Sequence, residues 1–355
     1  MEKASFQVNR QVLVKCHPNA SYPVFLILLI FIFLSLISGT VSADSWSYFW
    51  ENDALVGTDQ HYTNGIGISW MSGELCGNGL GDFEQRYGNA MKELIDSVPQ
   101  VELGPCNQVV GLKVSQMIVT PEDTWRRDRV VDDLPYAGYL SLIFFLNEWD
   151  DDSISQYRFS VGIVGPSSGA EITQTLYHRL TGNSPPRGWK YQLEDAWMVG
   201  VGYYSSRGYW EKPTDAGYTM NLSTSLGWDI GNFYTGATLG AMFRYGYNFP
   251  KNGASVEGFS LGGAGSEFIA NTISGQYGWS FNLGAYINTA AYVYIIDSAK
   301  DYDIERDLIF TSHVIGMSLY INHIQVTFSL NGTTGLINDS FMVDGWGGLE
   351  LTRLF

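Results

Sequence analysis

The sequence predicts an all-β protein: a transmembrane antiparallel β-barrel of about 12 strands, with a short helix in an extracellular loop. Three observations carry that prediction. Segments of about ten residues alternate apolar and polar side chains, the period of a strand with one face in lipid. The composition joins 40 Gly, 22 Tyr, 19 Phe and 11 Trp to only 16% charged residues, as interfacial aromatic girdles and small interior residues demand. An apolar leader stands ahead of the strands, and the chain closes on Phe355.

The leader comes first. "PVFLILLIFIFLSLISG" follows a segment carrying Arg10, Lys15 and His17 and runs into "TVSA", with small residues where a signal peptidase needs them. Residues 1–43 are therefore expected to be a signal peptide, and residues 44–355 a single barrel domain. No later stretch approaches the roughly 18–20 apolar residues of a membrane helix, so crossing the membrane falls to strands. Without Glu2, Lys3, Arg10 and Lys15 the chain keeps 17 basic and 35 acidic side chains, a formal charge of −18. That balance argues against nucleic acid as a partner, whose phosphates need a basic surface. It suits an outer-membrane lipid surface approached through divalent cations. Cys76 and Cys106 follow the leader; in an exported protein they can form one disulfide or stay reduced.

The strands come next. In "YTMNLSTSLGWDI" one face carries Tyr218, Met220, Leu222, Thr224, Leu226, Trp228 and Ile230, and the other Thr219, Asn221, Ser223, Ser225, Gly227 and Asp229. "IQVTFSLNG" alternates in the same way, with Ile324, Val326, Phe328 and Leu330 against Gln325, Thr327, Ser329 and Asn331. A soluble sandwich also alternates, but here Tyr or Trp caps the apolar faces behind an export leader. Only a closed sheet leaves no unpaired backbone in lipid. The pattern places strands near 45–53, 62–71, 109–119, 138–149, 155–165, 196–211, 217–230, 233–247, 277–296, 309–321, 323–332 and 345–355. Counting up and down puts 54–61, 120–137 and 166–195 outside the cell. It also puts the long stretches 72–108 and 248–276 on the periplasmic side, where turns are usually short. Either the count slips there or the barrel is elaborated.

One extracellular segment breaks the strand pattern. In "GPSSGAEITQTLYHRLTG", Ser168 followed by Glu171 predicts a capping box, and Gly182 is placed to end a helix of about three turns. Gln174 and His178, four apart, share one face of it.

The runs "WEND…GTDQHYTNG…W", "DDLPYAGYL" and "GPSSGAEITQTLYHRLTG…PRGWKYQL" together resemble the lipid A 3-O-deacylase family of outer-membrane barrels. They occur in that order across roughly residues 46–195. The resemblance implies a twelve-stranded outer-membrane esterase acting as a monomer on lipid A in lipopolysaccharide, with Ca2+ required. It implies that Asn52 and Asp53 belong to the active site and that His178 is the catalytic base. The family carries Arg before Pro-Tyr-Ala-Gly where this chain has Leu134, so Arg126, Arg127, Arg129 or Arg187 would have to bind substrate in its place. Tyr136 is expected beside the substrate.

The residue types suit that chemistry. Ester hydrolysis needs an activated water, a base that works near neutral pH and a group to hold charge on the carbonyl oxygen; imidazole suits the base. A hard cation on oxygen ligands polarises a carbonyl, and Asn52 and Asp53 offer such oxygens. Strand neighbours point to opposite faces, so one of the two is expected to ligate the metal directly and the other to support it. Thr63, Asn64 and Gln174 are expected to support the site. Two other readings stand beside this one. "HYTNG" resembles the His-x-Ser-Asn-Gly element of outer-membrane phospholipase A, with His61 as base and Thr63 as hydroxyl. A pore or structural barrel without enzymatic activity would use the same wall.

Overall fold

The computed structural model describes residues 45–57, 61–77, 80–98, 101–214, 217–250, 277–334, 337 and 344–355. The expected signal peptide lies outside the described residues, as does nearly all of 248–276. Twelve strands follow in chain order: β1 Ser45–Asn52, β2 His61–Met71, β3 Gln108–Thr120, β4 Ala137–Trp149, β5 Ser153–Val164, β6 Ala196–Pro213, β7 Tyr218–Gly231, β8 Tyr234–Tyr247, β9 Tyr277–Val293, β10 Ile309–Ile321, β11 Ile324–Thr334 and β12 Asp344–Leu354. Each pairs antiparallel with its sequence neighbours, and β1 pairs with β12 to close the barrel. The C-terminal segment "GGLELTRLF" thereby supplies the seam: Glu350 lies opposite Phe49, and Thr352 opposite Ser47.

Alternation sorts the side chains into two environments. The lumen receives Ser47, Ser69, Lys113, Ser141, Asn147, Gln156, Arg158 and Asp229, all but the last two fully buried. They meet in cross-strand pairs: Ser47 Oγ lies 2.7 Å from Thr352 Oγ1, Gln156 Nε2 donates to Asn147 Oδ1 at 3.0 Å, and Arg158 grips Asp229. The opposite face exposes Trp197, Val199, Val201, Leu226, Trp228, Ile230, Leu239, Leu283, Ile287, Ile315, Met317 and Leu330. This is the lipid-facing belt.

The two ends differ. The tight connections 150–152 and 322–323 lie at the end where β1 begins and β12 finishes, the periplasmic one; the connections 121–136, 165–195 and 294–308 at the other end are long, with 232–233 the short exception. The stretch 72–108 lies at the periplasmic end too, as an elaboration of the barrel. A disulfide joins Cys76 to Cys106, and helix α1, Asp82–Asp96, packs Met91 and Ile95 onto the outward faces of Val110 and Leu146. At the other end, the lumen is filled by an apolar cluster that includes Tyr62, Met117, Leu134, Val164, Met198, Phe233, Ile295, Ile296 and Phe310. Residues Tyr294–Asp297 form a helical turn inside that cluster, so β9 is shorter than the predicted 277–296. Tyr294 and Ile295 are drawn inward by burial, which ends the strand.

The expected extracellular helix is α2, Ala170–Thr181. Its start departs from the predicted capping box. Ser168 lies in a 3-10 turn over Pro166–Ser168, and its hydroxyl donates to the Gly165 carbonyl at 2.6 Å. Gly169 at φ 74° then opens the helix as a left-handed N-cap with no side-chain bond. The C-terminus behaves as predicted: Gly182 adopts φ 77°, and Asn183 N–H donates to the His178 carbonyl at 2.7 Å.

Candidate active site

Residue parity places the site on the outside of the wall. On β3, Lys113 and Ser115 face the lumen, so Gln116 and Ile118 face outward. On β2, a bulge at Thr63 lets Tyr62 point into the lumen opposite Val119 while Asn64 lies outward opposite Ile118. Asn52 pairs with Asn64 and shares its face. Helix α2 covers this outward surface. Ala170 and Trp189 pack with Ile118 and Tyr136, and Gln116 Nε2 donates to the Ser168 carbonyl at 2.7 Å. Gly138 on β4 makes the approach possible, because a Cβ there would collide with Ser168 Oγ and Ala170 Cβ.

Between helix and wall runs a cleft of about 390 Å³. Asn52, Thr63 and Asn64 line it from the barrel, Thr173, Gln174, Tyr177 and His178 from the helix, and Thr124 and Trp125 from the β3–β4 connection. Five residues singled out in the sequence, from three elements, thus converge.

Their orientations are fixed by local bonds. Asn52 ends β1 and caps a 3-10 turn over Asp53–Leu55: its Oδ1 accepts from Ala54 N–H at 2.9 Å, and its Nδ2 donates to the Thr63 carbonyl at 3.0 Å. Asn64 Nδ2 returns the pattern to the Glu51 carbonyl at 3.0 Å. Each carboxamide is held across the β1–β2 pair and keeps a second N–H. His178 is buried, and its Nδ1 lies 3.0 Å from the Ser184 carbonyl. A carbonyl only accepts, so Nδ1 carries the proton and Nε2 is the basic nitrogen. Gln174 is only 2% exposed, and its Oε1 accepts from the Trp189 indole N–H at 2.9 Å. Indole only donates, so the amide orientation is settled. Gln174 Nε2 then has no hydrogen-bond partner among the described residues.

Other expected site residues are placed differently. Asp53 is 1% exposed and stays outside the cleft lining, because the chain turns at Asn52. Tyr136, expected beside the substrate, is instead buried against Trp189. Its hydroxyl donates to the Thr124 carbonyl at 3.2 Å, so it supports the cleft from beneath. Arg187 reaches the rim, stacked over the Trp125 ring at 5.4 Å. Arg126 pairs with Asp128, Arg129 with Asp301, and Arg127 is exposed. Leu134 packs in the lumen cluster, away from the cleft lining.

Calcium takes six to eight oxygens, usually with several carboxylates. Asp53 is the carboxylate beside Asn52, and no three His, Cys, Asp or Glu side chains converge as metal ligands among the described residues. The donor set fits an ion that completes its shell with water or substrate oxygens, not one fully coordinated by protein.

The phospholipase-like pair is not assembled. His61 Nδ1 lies 2.6 Å from Asp344 Oδ1 and Nε2 3.2 Å from Asp133 Oδ1, so both nitrogens are taken up by carboxylates. Burial alone would depress its pKa, but the hydrogen bonds and charges of Asp133 and Asp344 outweigh burial and lift it to about 10. With both nitrogens engaged by carboxylates, the ring has none to offer Thr63. Thr63 Oγ1 meanwhile bonds Thr120 Oγ1 at 2.6 Å.

Sequence reasoning missed Trp189, Ser184, Thr124, Trp125 and Tyr177. Trp189 and Ser184 act through one indole N–H and one carbonyl, which no periodicity marks.

Comparison with one solved structure agrees with this architecture. The LpxR from Salmonella typhimurium aligns over 88% of this chain and 100% of its own length, at 16% identity and a TM-score of 0.69. The β domain of the Bordetella autotransporter Brka covers 88% of this chain and 100% of its own at 9% identity, with a TM-score of 0.44. No curated protein matches the chain. The model of the family described as outer membrane protein LpxR matches residues 24–355. The chain therefore belongs to the LpxR family, barrels of the bacterial outer membrane.

Proposed function

We propose that the protein hydrolyses the ester-linked acyl chain at the 3-position of lipid A, with His178 activating the attacking water. The observation that carries this reading is the His178 tautomer. The Ser184 carbonyl holds the proton on Nδ1, which leaves Nε2 as the base in a cleft opening on the lipid-facing wall. The family resemblance supplies the substrate.

In the reaction, water attacks the ester carbonyl carbon as its proton passes to His178 Nε2. The tetrahedral oxyanion is met by amide N–H groups of Gln174 and Asn52. The bond to the sugar oxygen then breaks, and the imidazolium proton goes to that oxygen, giving a free fatty acid and a sugar hydroxyl. No covalent enzyme intermediate forms. Where calcium is bound, the Asn52 carboxamide oxygen would be its ligand in the cleft, with Asp53 supporting from outside the lining, and the ion would polarise the ester carbonyl.

The test supplies purified protein with lipid A and reads released fatty acid by mass spectrometry, with and without a chelator. Replacing His178 with Ala is expected to lower the rate about 10²–10⁴-fold, the usual contribution of general-base catalysis. The chelator is expected to lower activity, with added calcium restoring it. Full activity in His178→Ala would overturn the mechanism.

A further inference from the structure

Helix α2 turns a stripe of large apolar side chains away from the protein. Ile172, Leu176 and Leu180 are 74%, 55% and 62% exposed. They recur every fourth residue, one line along the helix.

At about 100° per residue, the helix carries four such lines, each offset by about that angle from the one before. Ala170, Gln174 and His178 form the first, buried against the barrel wall. Glu171, Thr175 and Arg179 form the second, polar and at least partly exposed. The apolar stripe is the third and lies nearly opposite the wall. Thr173, Tyr177 and Thr181 form the fourth, opposite the polar line. Tyr177 meets Trp50, with ring centroids 6.4 Å apart. Trp50 is an outward residue of β1 two positions before Asn52, one pleat nearer the membrane centre. The fourth line therefore lies on the membrane side of the cleft that Thr173 and Tyr177 line, and the polar line faces water, which leaves the apolar stripe pointing sideways at the level of the interface.

We propose that α2 is an interfacial helix, with Ile172, Leu176 and Leu180 immersed in the hydrocarbon of the outer leaflet. Lipid is the occupant because α2 is seated on wall residues whose strand neighbours already meet lipid. Gln116, whose side chain holds the start of α2, pairs with Leu140 and Ile66, and Leu140 pairs with Ile163, which pairs with the exposed Trp197 of the belt. The polar line, set about 100° away, matches a helix lying in the interface plane. Where the deacylase reading holds, the acyl chain to be cut then reaches the cleft from within the leaflet, past α2.

The test is independent of catalysis. Full-length protein with Cys16 replaced by Ser would carry one nitroxide at Ile172→Cys, Leu176→Cys, Leu180→Cys or Thr175→Cys, in dioleoylphosphatidylcholine vesicles. Power saturation would compare collision with oxygen and with a water-soluble nickel chelate. Labels at 172, 176 and 180 are expected to favour oxygen, and the label at 175 the chelate. Chelate access at all four positions would place the helix in water and overturn the proposal. So would spin–spin broadening at 176, which would mean a second copy covers the stripe. In a second arm, Leu176→Glu is expected to lose about tenfold in lipid A hydrolysis in vesicles but not on a short-chain ester in detergent. If neither form hydrolyses lipid A while the labels still favour oxygen, the deacylase reading fails and the interfacial helix stands.

Discussion

At the scale of single residues, the site is governed by partners that permit only one proton arrangement. Trp189 can only donate, so Gln174 accepts through Oε1 and keeps its N–H₂ free of the indole. Replacing Gln174 with Ala removes that donor and is expected to cut kcat about 10²–10³-fold, the usual effect of losing one oxyanion donor. Trp189→Phe frees the amide to flip and should lower kcat less while leaving KM nearly unchanged; steady-state kinetics on both variants decides this. His61 yields a prediction about pH. Its folded pKa, about 10, exceeds the unfolded value near 6.5, so its clamp on Asp133 and Asp344 contributes fully below about pH 6.5 and is lost as pH rises through 10. The connections it ties should become protease-sensitive above about pH 10, and in His61→Asn at every pH, as limited proteolysis would register. Asn52 and His178 were singled out through the resemblance of their runs to a known family, and Thr63, Asn64 and Gln174 as polar neighbours of those two; the structure brings all five to one cleft. Trp189 and the Ser184 carbonyl were not legible in the sequence, since one side chain among 11 tryptophans and one backbone oxygen carry no local mark.

At the scale of elements, α2 is positioned by what the wall omits. Gly138 leaves room for Ser168 and Ala170. Gly138→Ala should push the helix off β4, costing about 1–3 kcal/mol in overpacking, with the loss confined to the loop because the barrel ladder does not depend on it. The expected result is an intact barrel by circular dichroism with lipid A hydrolysis strongly reduced; unchanged activity would mean the helix is not set by that contact. The helix itself was legible from its periodicity and Gly182. Its start was not, because the Ser168–Glu171 spacing fits a capping box as well as it fits a 3-10 turn followed by a left-handed glycine. Helix α1 escaped for a related reason. Its apolar residues Met91 and Ile95 sit among acids and small residues, and they are buried only because Val110 and Leu146 present outward apolar surface at the periplasmic end.

At the scale of the whole molecule, twelve strands were legible because lipid on one side and polar lumen on the other impose period two along every segment. The location of the cleft was not. It depends on the bulge at Thr63 and on a helix folded back over the outside of the wall, both products of long-range pairing. The same parity divides the barrel into two compartments with opposite consequences. Below the rim the lumen carries buried polar pairs among aromatic rings, with Arg158 on Asp229 and Lys113 over the Phe49 ring. At the extracellular end, buried residues of eight strands and three connections pack into one apolar cluster, with Tyr139 stacked on Phe233 at 3.9 Å between centroids. Ions crossing there would shed hydration against carbon, a cost of several kcal/mol or more for an unpaired charge. The protein in a planar bilayer is therefore expected to show no steady conductance, while a variant with Phe233→Ser and Ile296→Ser should admit water and conduct. Stable ohmic channels in the unaltered protein would mean that the cluster does not seal the lumen, and would return the pore reading to contention beside the hydrolase.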